Sequence, residues 1–105
     1  MREIILLNRY EKALGSFKGV KINCMRPHLL GNPFIPKDKS DDERRRVIAA
    51  FRVYLWKKMQ SSNPVNMEIR RLASLTDDIA LICCCKPKEC HTDIIKSAIG
   101  WLRSQ

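Results

Sequence analysis

The sequence reads as an α/β protein: a small, mainly parallel sheet flanked by helices in a single domain, residues 1–105. Three observations carry this expectation. Glu3 to Asn8 and Ile79 to Cys84 are short runs rich in Ile and Leu, as strands buried on both faces are. Apolar residues between and after them recur at helical spacing. The stretch joining the second strand to the third holds two such helices, enough chain for a parallel crossover. At 105 residues, 45% of them hydrophobic, the chain supports one modest core.

Glu3 to Asn8 is expected to be a central strand. Arg9 to Gly15 reads as a loop with a helical turn. Phe17 to Asn23 follows as a half-buried strand, with Val20 and Ile22 alternating with Lys21 and Asn23. Cys24 to Lys39 contains Pro27, Pro33 and Pro36, which exclude a regular helix or interior strand. A loop this long in a small domain is more often functional than a spacer. Its Leu29, Leu30, Phe34 and Ile35 are expected to cap the core.

Ser40-Asp41-Asp42-Glu43 is a helix start. Ser40 can accept from the backbone of Glu43, and Glu43 can return the bond. The helix should run to about Met59 with Val47, Phe51, Tyr54 and Leu55 facing the core. Asn63-Pro64 caps and begins a second helix, to about Leu75, lined by Val65, Ile69 and Leu72. After the Ile79 strand, a final helix runs to about Arg103. Ile95, Ala98, Ile99 and Leu102 form its buried face.

If the second and third strands are parallel, their carboxyl ends share an edge. The proline-rich loop and the Cys83–Asp93 stretch would meet there, the usual ligand site of open α/β sheets. Four of the five cysteines lie in Ile79 to Ile95. An odd count, with Cys83-Cys84-Cys85 consecutive, argues against a disulfide framework and for thiols in a reducing cytoplasm. The N-terminus has too short an apolar run for a secretory signal, and no run approaches the ~20 residues that span a membrane.

Three readings of the cysteines stand side by side. Cys90 at a helix N-terminus has the best electrostatic case for a nucleophile, with His91 as acid or base and Asp93 orienting it. Lys86 and Lys88 would lower its pKa further. Adjacent helical residues do not face each other, so Cys90 and His91 need an irregular first turn to cooperate. In the second reading Cys83, Cys85, Cys90 and His91, with Cys24 as a substitute, hold zinc; outside that reading no cofactor is expected. In the third, Cys83 to Cys85 are small buried hydrophobes, with Cys84 packing. Arg26 and Asn32 are the ligand-binding candidates of the other loop, with Cys85 opposite. The Asn32-Pro33 sequence also suits a turn. His28 is expected to be exposed and without a role.

The formal net charge is +9, with 20 Lys and Arg against 11 Asp and Glu. That balance favours a nucleotide or nucleic-acid partner. Arg44, Arg45, Arg46, Arg52, Lys57, Lys58, Arg70 and Arg71 would form a phosphate-contacting face, in the style of a basic interaction module. No recognised nucleic-acid motif accompanies them.

Two blocks, Met25-Arg26-Pro27-His28-Leu29-Leu30-Gly31-Asn32-Pro33-Phe34 and Cys83-Cys84-Cys85-Lys86-Pro87-Lys88-Glu89-Cys90-His91-Thr92-Asp93, occur in this order with a helix between them. The pair resembles the signatures of domain-of-unknown-function family 4326, found in bacteria and phages. The family pattern falls on Arg26, Pro27, Gly31, Asn32, Pro33, Phe34, Cys83, Cys85, Pro87, Cys90, His91 and Asp93. Where the family often has Trp between its first two cysteines, this chain has Cys84. The resemblance implies a site location rather than a settled activity. A phage source would imply host takeover, with a host protein as partner, or nucleotide metabolism.

Overall fold

The computed structural model describes residues 3–85 and 88–105. Among these residues, three strands and four helices follow in the order β1 (Ile4–Asn8), α1 (Ala13–Ser16), β2 (Val20–Asn23), α2 (Asp41–Lys58), α3 (Pro64–Ser74), β3 (Ile79–Cys83) and α4 (His91–Arg103). The sheet is wholly parallel in the order β1-β3-β2. The α/β class is therefore as the sequence predicts, with one correction. β3 is the central strand and β1 lies at an edge. Composition cannot separate the two, because both are apolar throughout; pairing on both sides is what leaves Ile79, Ala80 and Leu81 with no exposed surface.

Register explains the core. Leu6, Leu81 and Ile22 stand abreast, as do Ile4, Ile79 and Val20. Aligned positions point to the same face. That face meets Phe51 and Leu55 of α2, Ile69 and Leu72 of α3, and Ile95 and Ile99 of α4 in one cluster. α4 packs against β1 and β3, while α1 packs against β1. Ile5, whose side chain points to the opposite face, lies beside Ala13, Ser16 and Phe17.

The helix ends follow local chemistry. Ser40 Oγ accepts from Glu43 N–H at 3.2 Å. The reciprocal bond is not made: Ser40 N–H goes to Asp38 Oδ1 and Glu43 instead accepts from Lys37 N–H, each at 2.8 Å. Asp38 is nearer to Ser40, which frees Glu43 to hold the incoming loop and pair with Arg46 at 2.8 Å. Asn63 Oδ1 accepts from Asn66 N–H at 2.9 Å with Pro64 in the first turn, as the sequence anticipates. At the other end of α3, the Arg103 guanidinium donates to the carbonyls of Ala73 and Leu75, both at 3.3 Å. It thereby joins α4 to the carboxyl end of α3.

The long loop caps the core less completely than its apolar content suggests. Leu30 is buried and Phe34 half-buried, but Leu29 and Ile35 are exposed. Its backbone turns too sharply to direct all four side chains inward. Gly31 sits where an added Cβ would lie 2.9 Å from Arg26 N. Gly19 is tighter still, because a Cβ there would collide with the Asp78 carbonyl, which accepts Val20 N–H at 2.8 Å. Replacing Gly19 by Ala forces β2 away from β3. The expected loss is about 1–3 kcal/mol, read as a lower urea midpoint with an unchanged slope.

Candidate functional site

The carboxyl ends of β2 and β3 open on the same edge, and the loop after β2 meets the segment after β3 there. Between them lies a cavity of about 550 Å³, whose wall includes Arg26, Asn32, Arg44, Cys85, Cys90 and His91. The cavity is within the size range of small-molecule sites. Two distant parts of the sequence, with α2 between them, thus form one pocket.

His91 is the joint. Its Nε2 lies 2.8 Å from the Cys24 carbonyl and 3.0 Å from the Leu30 carbonyl. Carbonyl oxygens only accept, so Nε2 carries the hydrogen and donates to both. Nδ1 of the neutral ring is then an acceptor, and Cys90 Sγ lies 3.4 Å from it. Phe51 packs edge-on against the ring at 4.9 Å. Burial lowers the His91 pKa below its ordinary 6.5, outweighing the two carbonyl bonds that favour the cation.

The geometric obstacle between neighbours in a helix is removed by the cap. Cys90 is the N-cap of α4, with extended φ and ψ of −148° and 157°. Its side chain can therefore turn back over the first turn to the ring of His91. Asp93 Oδ2 accepts Cys90 N–H at 3.1 Å. This bond fixes the backbone of the cysteine, whereas orientation of the imidazole comes from the two carbonyls.

The thiols are not equivalent. Cys90 is buried, and its pKa is raised: a bond from Cys83 favours the thiolate, but the bond to Cys85 and burial outweigh it. The helix terminus alone thus does not make Cys90 the ready thiolate that its position suggests. Cys85 is half-buried, and its pKa is lowered by a hydrogen bond from Cys90. Burial pushes Cys24 up to about 12. Cys83 is buried, whereas Cys84 is exposed rather than packed, because it follows the last residue of β3 and faces away from the core. All five cysteines are free.

Among the described residues, no group of three His, Cys, Asp or Glu side chains is arranged to hold a metal ion. Cys83, Cys85, Cys90 and His91 of the zinc set line one pocket, with Cys90 Sγ 3.4 Å from His91 Nδ1. Lys86, expected to act on Cys90, and Pro87 of the family pattern lie outside the described residues.

Arg26 and Asn32 both reach the pocket wall, but the protein already engages them. Arg26 Nη1 donates to the carbonyls of Asn32 at 2.9 Å and Phe34 at 3.4 Å. Asn32 Nδ2 donates to the Val47 carbonyl at 3.1 Å, and its Oδ1 accepts Phe34 N–H at 2.9 Å. Buried Asn32 thus ties the loop to α2, the turn role its sequence favours. His28 is exposed.

Arg44, grouped by the sequence with Arg45 and Arg46 on a phosphate-contacting helix face, is not a residue that the sequence assigns to the pocket. It lines the pocket, and its Nε is buried with no hydrogen-bond partner among the described residues. The signal in the sequence is its spacing, one turn before Val47 on the inward stripe. Thr92, fully buried behind Cys90, carries no comparable mark; its hydroxyl and backbone both favour a Cys90 thiolate.

Together these elements make a small parallel α/β domain whose carboxyl edge carries a thiol–imidazole cluster. The family model described as Domain of unknown function (DUF4326) matches residues 7–101, and the chain belongs to that family. Comparisons with curated proteins and with solved structures find no match.

Because the folded state holds His91 neutral, stability is complete above pH 6.5 and is lost as pH falls through the lower folded pKa. Urea titrations should show unfolding free energy falling below that pH. His91→Phe should remove this contribution to the slope and cost about 1–3 kcal/mol at neutral pH, because two buried carbonyls lose their donor. At neutral pH, iodoacetamide followed by peptide mapping should label exposed Cys84 and half-buried Cys85 well before Cys24, Cys83 and Cys90.

Proposed function

We propose that the carboxyl-edge pocket binds a small phosphate-bearing molecule of nucleotide size, in the cytoplasm. The observation that carries this reading is Arg44, a guanidinium on the pocket wall whose buried Nε has no partner among the described residues. Buried donors of this kind are costly unless something accepts from them. A phosphate oxygen supplies both the acceptor and the opposite charge. Arg26, Lys39 and Lys88 also line the pocket, against Asp38 and Glu89, so cations predominate there. Five free thiols agree with a reducing compartment, and no helix among the described residues is long and apolar enough to cross a membrane.

The alternative, a basic module binding nucleic acid or a host protein through the helix surfaces, has weaker support. Arg45 pairs with Asp42, Arg46 with Glu43 and Arg71 with Glu68. Those charges are already locally compensated. Trp56 is exposed, but it packs edge-on against Trp101 at 5.9 Å rather than presenting an isolated stacking face.

Calorimetric titration with nucleoside monophosphates and with inorganic phosphate tests the pocket reading. Binding is expected for at least one nucleotide. Arg44→Gln should weaken it ~10–100-fold, corresponding to loss of a charged hydrogen bond. Arg45→Gln should leave it unchanged. Binding that is absent at low salt, or equally sensitive to both substitutions, overturns the proposal.

A further inference from the structure

The cysteine cluster contains more thiol chemistry than a binding pocket requires. Cys85 and Cys90 line the same pocket, and each thiol acts on the ionisation of the other. Their exposure differs: Cys85 is accessible from the cavity, while Cys90 lies beneath it with 2% of its surface exposed. Cys90 also meets the unprotonated Nδ1 of His91 at 3.4 Å. Cys83 touches Cys90 too, but it is 1% exposed and an incoming molecule cannot reach it first.

We propose that Cys85 and Cys90 form a dithiol that reduces small disulfides, with Cys85 as the attacking sulfur and Cys90 as the resolving one. The Cys85 thiolate attacks one sulfur of a low-molecular-weight disulfide. The disulfide bond breaks, one thiolate leaves, and Cys85 is held in a mixed disulfide. Cys90 passes its proton to Nδ1 of His91 and attacks the Cys85 sulfur. The Cys85–Cys90 disulfide forms as the second thiolate leaves, and that thiolate takes the proton back from the imidazolium. Two protein sulfurs are oxidised and the substrate disulfide gains two electrons. A small thiol restores the dithiol by the reverse exchange.

The structure supports each part of this reaction separately. The donor that makes Cys85 the better leaving or attacking thiolate is Cys90 itself, so accessibility and activation coincide in one sulfur. The carbonyls of Cys24 and Leu30 hold His91 in the required tautomer, and burial keeps the ring neutral. Thr92 stands ready to donate to Cys90 when it becomes a thiolate, the state in which the buried hydroxyl gains an acceptor.

The test exposes reduced full-length protein to glutathione disulfide and, separately, to uncharged hydroxyethyl disulfide, with intact-mass and peptide analysis. Wild-type protein should lose two hydrogens and yield a Cys85–Cys90 linked peptide with either reagent. Cys90→Ser should accumulate a one-to-one adduct on Cys85, and Cys85→Ser should form neither product. A wild-type protein that forms no internal disulfide, or links Cys83 to Cys90 instead, overturns the proposal even if the variants do not fold. Reaction with hydroxyethyl disulfide does not depend on the phosphate-binding reading, so failure of one reading is distinguishable from failure of the other.

Discussion

The bond from His91 Nε2 to the carbonyls of Cys24 and Leu30 holds the site together. It joins the start of α4 to both ends of the sharpest part of the β2–α2 loop. The loop is held in addition by Cys24 N–H, which donates to the Ile82 carbonyl of β3 at 2.9 Å, and by the Asn32 tie to α2. The His91 bond also selects the tautomer. A donor at Nε2 leaves an acceptor at Nδ1, and that acceptor faces a thiol. One ring therefore fixes tertiary geometry and sets the proton inventory of the site.

The geometry around that ring assigns different tasks to residues that look equivalent in sequence. Cys85 and Cys90 belong to the same motif block, yet of the two only Cys85 meets the cavity with a lowered pKa. Asp93, placed by its motif beside a histidine, holds the backbone of Cys90. Asn32 closes a turn, and Arg26 stabilises that turn through carbonyls. Arg44, outside both motif blocks, brings a guanidinium whose buried Nε has no hydrogen-bond partner among the described residues. The motif residues mostly build the pocket; Arg44 and Cys85 are the side chains best placed to meet a ligand there.

Much of the fold is legible in the sequence because its signals are local. A serine or asparagine beside a run with helical apolar spacing is enough to start α2 and α3, and both caps form as the spacing predicts. Val65, Ile69 and Leu72 lie one turn apart and are buried together. The meeting of the two loops follows from strand direction alone. What fails is any inference that local chemistry leaves underdetermined. Glu43 has two backbone amides within reach, and Asp38 takes one of them. Leu29 and Ile35 are as apolar as Leu30, but the turn around Gly31 directs only Leu30 inward.

Residue order alone is enough for a parallel α/β domain with a pocket after the third strand, because hydrophobic period, caps and crossover length act over a few residues or restrict connectivity. Which strand is central, which thiol is accessible and which arginine enters the pocket are set only when the chain has packed. Those properties arise from burial and from partners 61 or more residues away, as with the carbonyls that hold His91. A pKa or an unpaired donor depends on its whole surroundings, and no stretch of sequence contains those surroundings.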